Sequence, residues 1–216
     1  GVLAVGLCMV ALSPLPCLAD LYSGSLNAGT DGGIYATGGW ASAVTMITWD
    51  ITTNTRDGSL HYKYMWTTAS KNLSHLILEV SDGLRLGYPD YFNGPNPADG
   101  DPQTYSPDDP GNSNPGLLGD LFGLKFTPGT ETTAFAVEFD SFRLPMWGNF
   151  YAKDGTDDKG TVDVYAYNTD FLYEYDAETH PWKIAVPDTA YVPVPGAVLL
   201  GMLGLGAAGL RLRRGV

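Results

Sequence analysis

Leu60-His61-Tyr62-Lys63-Tyr64-Met65-Trp66-Thr67 alternates large apolar rings with polar or smaller neighbours at a period of two. In a strand successive side chains point to opposite faces, so this pattern buries Tyr62, Tyr64 and Trp66 on one side and wets His61 and Lys63 on the other. The same reading extends to Phe135, Val137 and Phe139, which alternate with Ala136, Glu138 and Asp140, and to Val162, Val164 and Ala166, which alternate with Asp163, Tyr165 and Tyr167. Residues 43–51, 73–80 and 121–126 are further β-branched or apolar runs. Between them, residues 54–59, 70–72, 81–83, 128–129 and 154–155 supply turn chemistry. No part of the body sustains a period of 3.6. Several short strands at this spacing predict an all-β, antiparallel β-sandwich, because a single sheet would leave its apolar face in water. Tyr62, Tyr64, Trp66, Phe135 and Phe139 are its expected core.

One stretch interrupts the pattern. Residues 87–116 read GYPDYFNGPNPADGDPQTYSPDDPGNSNPG, too rich in Pro, Gly, Asp and Asn to form a strand. The run is read as a long loop at one end of the sandwich, and loops of this length are usually functional.

Composition narrows the chemistry. The 216 residues carry 24 acidic and 12 basic side chains, a formal charge of −12. Phosphate backbones are held by Lys and Arg, so nucleic acid is not an expected partner. All 24 acids fall between Asp20 and Asp188, with nine of the bases, leaving that body at −15. The two cysteines, Cys8 and Cys17, exclude a disulfide scaffold and a multi-cysteine zinc site.

Both ends differ from the body. Residues 1–12 read GVLAVGLCMVAL, followed by Ser13-Pro14-Leu15-Pro16 and Cys17-Leu18-Ala19. This is the apolar region and small-x-small cleavage pattern of a secretory signal peptide over residues 1–19, with cleavage between Ala19 and Asp20. It is shorter than the roughly 20 apolar residues that span a bilayer. The mature protein would then hold no cysteine. At the other end, residues 194–210 read VPGAVLLGMLGLGAAGL without a charge, and Arg211, Arg213 and Arg214 follow. Seventeen residues make a helix of about 26 Å, near the lower limit for a transmembrane span. Pro195 suits its first turn, and the arginines would be retained on the cytoplasmic side.

Val192-Pro193-Val194-Pro195-Gly196-Ala197, the glycine-rich apolar run and the terminal Arg cluster together resemble the PEP-CTERM sorting signal. That family's pattern is Val-Pro-Glu-Pro, and Val194 stands where the glutamate usually does. The resemblance implies a bacterial exported protein passed through the export translocon, tethered in the inner membrane and processed near Pro195 by an exosortase-like membrane protease. Within residues 191–216, Val192, Pro193, Val194, Pro195 and Ala197 form the sorting motif, and Arg211, Arg213 and Arg214 the membrane stop. Residues 74–81, 123–126 and 145–155 also resemble segments of a set of PEP-CTERM proteins that share a β-rich body. That set brings no activity with it. It implies fold and destination only; the sorting resemblance implies a non-enzymatic component of the extracellular matrix or biofilm, on the cell surface or released, with residues 20–190 as the displayed domain.

Three chemistries come into question for that domain. Tyr88, Tyr91 and Tyr105 in the long loop, and Trp147 and Tyr151 beyond it, offer ring faces on which sugars stack, so an extracellular polysaccharide is a candidate partner. Asp99 and Asp101 in the loop, and Asp154, Asp157 and Asp158 in Lys153-Asp154-Gly155-Thr156-Asp157-Asp158-Lys159-Gly160, are hard oxygen donors on glycine-bearing loops. Ca²⁺, which takes about six to eight oxygens, is the cofactor they suggest, although neither group has EF-hand spacing. A hydrolase would need carboxylates facing each other across a cleft. His75 and Glu79 share a strand face but stand about 13 Å apart along it, so no catalytic residue is expected.

Overall fold

The computed structural model describes residues 22–54, 56–80, 91–92, 102–108 and 113–187. The chain is all-β and its paired strands are antiparallel, as in a β-sandwich. One sheet has five strands in the order β1 (Gly24–Asn27), β3 (Met46–Thr53), β4 (Leu60–Thr67), β9 (Ala134–Ser141) and β6 (Tyr91–Phe92). The other has six, in the order β2 (Ile34–Ala36), β12 (Asp163–Asn168), β11 (Phe150–Thr156), β5 (His75–Glu79), β8 (Leu121–Phe126) and β7 (Gln103–Tyr105). A two-stranded sheet pairs β10 (Pro145–Gly148) with β13 (Ile184–Pro187). Its inner strand is wholly buried, and Tyr64 Oη donates to the Ala185 carbonyl at 2.8 Å, which ties it to the five-stranded sheet.

The core follows from the alternation. Tyr62, Tyr64 and Trp66 are fully buried, with Ile47 and Ile51 from the strand on one side and Val137 and Phe139 on the other. Leu76, Leu78, Phe126, Phe150, Ala152 and Val164 meet them from the six-stranded sheet. Tyr62 and Phe139 stack at 5.3 Å, and Trp40 packs edge-on to Trp66 at 5.1 Å. The opposite face of the five-stranded sheet is wet and charged. There Lys63 Nζ lies 2.7 Å from Glu138 Oε1, and His61 Nδ1 lies 2.7 Å from Asp140 Oδ1.

The structure corrects two local expectations. Within the run 87–116, residues 91–92 pair as β6 in one sheet and residues 103–105 as β7 in the other, so these parts of it are strand and not loop. Edge strands pair on one side only and tolerate Pro and Gly nearby, which is why composition concealed them. Asp154 and Gly155 lie inside β11; the turn comes later, where Gly160 N donates to the Asp157 carbonyl at 2.9 Å.

Among the described residues no helix is long and apolar enough to cross a membrane. The apolar segments 1–19 and 194–210, the sorting motif and the terminal arginines lie outside those residues.

Candidate aromatic binding site

The chain changes sheets at Asn149. Gly148 ends β10, and a Cβ there would stand 2.5 Å from Val186 Cγ2, so only glycine lets the two strands of the small sheet close up. Phe150 then begins β11 in the six-stranded sheet. Asn149 is held on both sides: its N–H donates to Glu79 Oε2, and its carbonyl accepts from the Glu79 N–H at 3.0 Å. Asn149 Oδ1 accepts from Lys183 Nζ at 2.8 Å and from Asn168 Nδ2 at 2.9 Å. Asn168 Oδ1 accepts the Phe150 N–H, and its amide also donates to the Trp182 carbonyl. Trp182 N–H donates to Asp170 Oδ2 at 2.8 Å, and Asp170 Oδ1 lies 3.5 Å from His180 Nδ1.

This network is nearly dry. Asn168 is fully buried and Lys183 only 5% exposed. Burial pushes the Glu79 carboxyl up, opposed by the Asn149 N–H and the Lys183 charge. Burial likewise pulls the Lys183 ammonium down, opposed by Glu79, Glu174 and Asp170. Each charge is thus tolerated because the other is present.

Aromatic side chains are exposed beside it. Trp147 on β10 stacks on Tyr175 with ring centroids 4.7 Å apart and planes 18° apart, and meets Trp49 edge-on at 6.3 Å. Trp147 is 37% exposed and Tyr175 36%. Tyr173 is more open still, and its ring lies parallel to His180 at 4.1 Å. The turn bearing these rings is closed by Asp176, whose side chain accepts from Glu178 and Thr179 N–H groups; those bonds hold its carboxyl below the usual range.

Of the aromatics singled out in the sequence, Trp147 alone is exposed with its side chain described. Tyr151 is fully buried and Tyr105 only 2% exposed, which corrects their assignment as ligand-stacking rings. Both lie on the outer face of the six-stranded sheet, packed with Ile77, Leu117, Leu121 and Phe171. Tyr91 enters β6, and Tyr88 lies outside the described residues. Sequence reading missed Tyr173 and Tyr175, whose spacing in Phe171-Leu172-Tyr173-Glu174-Tyr175 was the available signal.

The outer face of the six-stranded sheet holds a second aromatic group. Tyr35, Tyr167, Tyr151, Ile77 and Lys125 stand in register across five strands. Tyr35 stacks on Tyr167 at 5.0 Å, and Tyr165 lies nearly parallel to both Tyr167 and Tyr151. Residues 113–117 strap across it. Tyr151 Oη donates to the Pro115 carbonyl at 2.9 Å, Lys153 Nζ to the Ser113 carbonyl, and His75 Nε2 lies 3.2 Å from Asn114 Oδ1. His75 therefore serves the strap, not an acid–base pair with Glu79.

The acidic loop is built differently from a cation cage. Asp157 Oδ1 accepts from Thr161 and Val162 N–H groups, and these bonds lower its pKa. Asp158 Oδ1 lies 2.6 Å from Lys71 Nζ. Among the described residues no group of three His, Cys, Asp or Glu side chains is placed to hold a metal ion. Asp99 and Asp101 lie outside them.

No protein-family model, curated protein or solved structure matches this chain, so the site is read from its own geometry.

Proposed function

We propose that the chain is an exported bacterial envelope protein whose β-sandwich is displayed outside the cell as a non-enzymatic matrix or biofilm component. The observation that carries this reading is the bracketing of one acidic body by two uncharged apolar segments, the second preceded by Val192-Pro193-Val194-Pro195-Gly196-Ala197 and followed by Arg211, Arg213 and Arg214. The fold agrees with it: among the described residues the last strand, Ile184–Pro187, is wholly buried and ends five residues before that motif begins. The precursor is led out by residues 1–19, tethered by residues 194–210, and released or handed to the surface by cleavage near Pro195. Deleting residues 192–216 tests the route; the shortened protein should leave the cell without passing through a membrane-bound form, and unchanged membrane retention contradicts it.

A second reading is favoured by the exposed Trp147–Tyr175 stack. In it the sandwich binds an extracellular polysaccharide through these rings. Retention on polysaccharide columns that is lost in Trp147→Ala or Tyr175→Ala supports it; passage of the parent protein through every column removes it. Calorimetric titration with Ca²⁺ bears on the loop carboxylates, and a flat trace ends their role as a cation site.

A further inference from the structure

We propose that Phe142, Leu144 and Met146 form a lipid-docking surface that seats the sandwich on the bilayer while the chain is tethered. This rests on the tethered-precursor reading above.

The first observation is exposure. Phe142 is 49% exposed, Leu144 51% and Met146 41%, all within five residues of chain. None of the three side chains can hydrogen-bond a sugar hydroxyl through a strong donor or acceptor, whereas a bilayer interface takes apolar groups without polar partners. The second is rigidity. Tyr62 Oη donates to the Arg143 carbonyl at 2.6 Å, and the Arg143 N–H donates to Ser141 Oγ at 3.2 Å. The turn that presents Phe142 and Leu144 is therefore bolted to the core and presents its side chains without further ordering.

The third observation is place. β10 and β13 are antiparallel with Pro145 opposite Pro187, so the end of β13 from which the chain runs on toward Val194 is the end at which Leu144 enters β10. Seven residue steps separate Pro187 from Val194, and a fully extended chain covers at most about 25 Å over them. A body of this size is roughly 40 Å across. A tether shorter than the body keeps the exit side turned to the membrane, and the apolar side chains lie on that side.

Charge agrees. Residues 141–147, SFRLPMW, contain no carboxylate and one base, in a body whose formal charge is −15. That stretch adds no repulsion of its own toward an anionic headgroup layer.

The test uses the full chain, purified from membranes and reconstituted in phosphatidylethanolamine–phosphatidylglycerol vesicles whose lipids are brominated near the headgroup. Trp40, Trp49 and Trp66 are buried, Trp182 is half-buried, and Trp147 lies beside the docking segment. The lipid-quenched emission lost in Trp147→Phe therefore reports Trp147. The expected result is quenching of Trp147 that falls at least about twofold in Phe142→Ser/Leu144→Ser, a pair of exposed changes that should leave the melting temperature unaltered. A chain that stays in carbonate-washed vesicles with Trp147 unquenched overturns the docking surface and leaves the tether standing. A chain washed out by carbonate overturns the tether, and the docking surface with it. A dimeric mass by light scattering in detergent that becomes monomeric in Phe142→Ser/Leu144→Ser shows that a second copy covers the face, and that also overturns the proposal.

Discussion

Lys183 Nζ donates to Asn149 Oδ1 at 2.8 Å, and that bond joins the last approach to β13 to the residue where the chain passes from the small sheet into β11. It brings an ammonium into a nearly dry interior, where Glu79 compensates it. The small sheet, and with it Trp147, depends on this bond for its position.

Lys183→Met should therefore destabilise the fold by about 2 kcal/mol, less than the loss for a fully buried pair because Glu79 keeps some contact with water. The pH dependence carries a sign. Glu79 titrates above its ordinary value in the fold, so its ionisation opposes folding as pH rises. Removing the lysine raises Glu79 further, and the variant should lose more stability than the parent between roughly pH 5 and pH 8. Urea unfolding at the two pH values measures it; equal losses contradict the pairing.

Gly116 adopts φ +73°, and a Cβ there would stand 2.0 Å from Tyr165 Cζ. Gly116→Ala combines a strained backbone with a clash against an aromatic ring held among Tyr35, Tyr151 and Tyr167. The expected cost is about 1–3 kcal/mol, with faster proteolytic cleavage near residues 113–117 as the strap lifts. Limited proteolysis beside a thermal melt reads both effects.

Burial and the neighbouring Tyr35 and Tyr165 push the Tyr167 phenol up to about 12, and burial pushes Tyr64 and Tyr151 up as well. A phenol that holds its proton in the fold past its unfolded value makes stability fall as pH rises from about 10 toward 12. Ultraviolet titration should show these tyrosines ionising late, and Tyr35→Phe should bring one step to lower pH. A single transition near the ordinary tyrosine value contradicts the stacked arrangement.

The strands that sequence revealed are those with one dry and one wet face. β4 shows Tyr62, Tyr64 and Trp66 against His61 and Lys63 because its outer face is open to water. β11 begins with three consecutive buried residues, Phe150, Tyr151 and Ala152, since residues 113–117 cover its outer face. Its period of two is thereby erased, and the sequence offers only an acidic turn. β1, β2, β7 and β13, at three or four residues each, are too short for periodicity to register. The aromatic site was half legible. Trp147 stood out as a residue type, but its partner Tyr175 is 28 positions away, in the connection between β12 and β13, and meets it only in the fold.

Mass spectrometry of the protein recovered from the outer surface of the cell tests the export reading most directly, because both cuts leave new termini. The account predicts a chain that begins at Asp20 and ends upstream of Arg211. A recovered chain that still starts at Gly1, or that keeps residues 211–216, contradicts it.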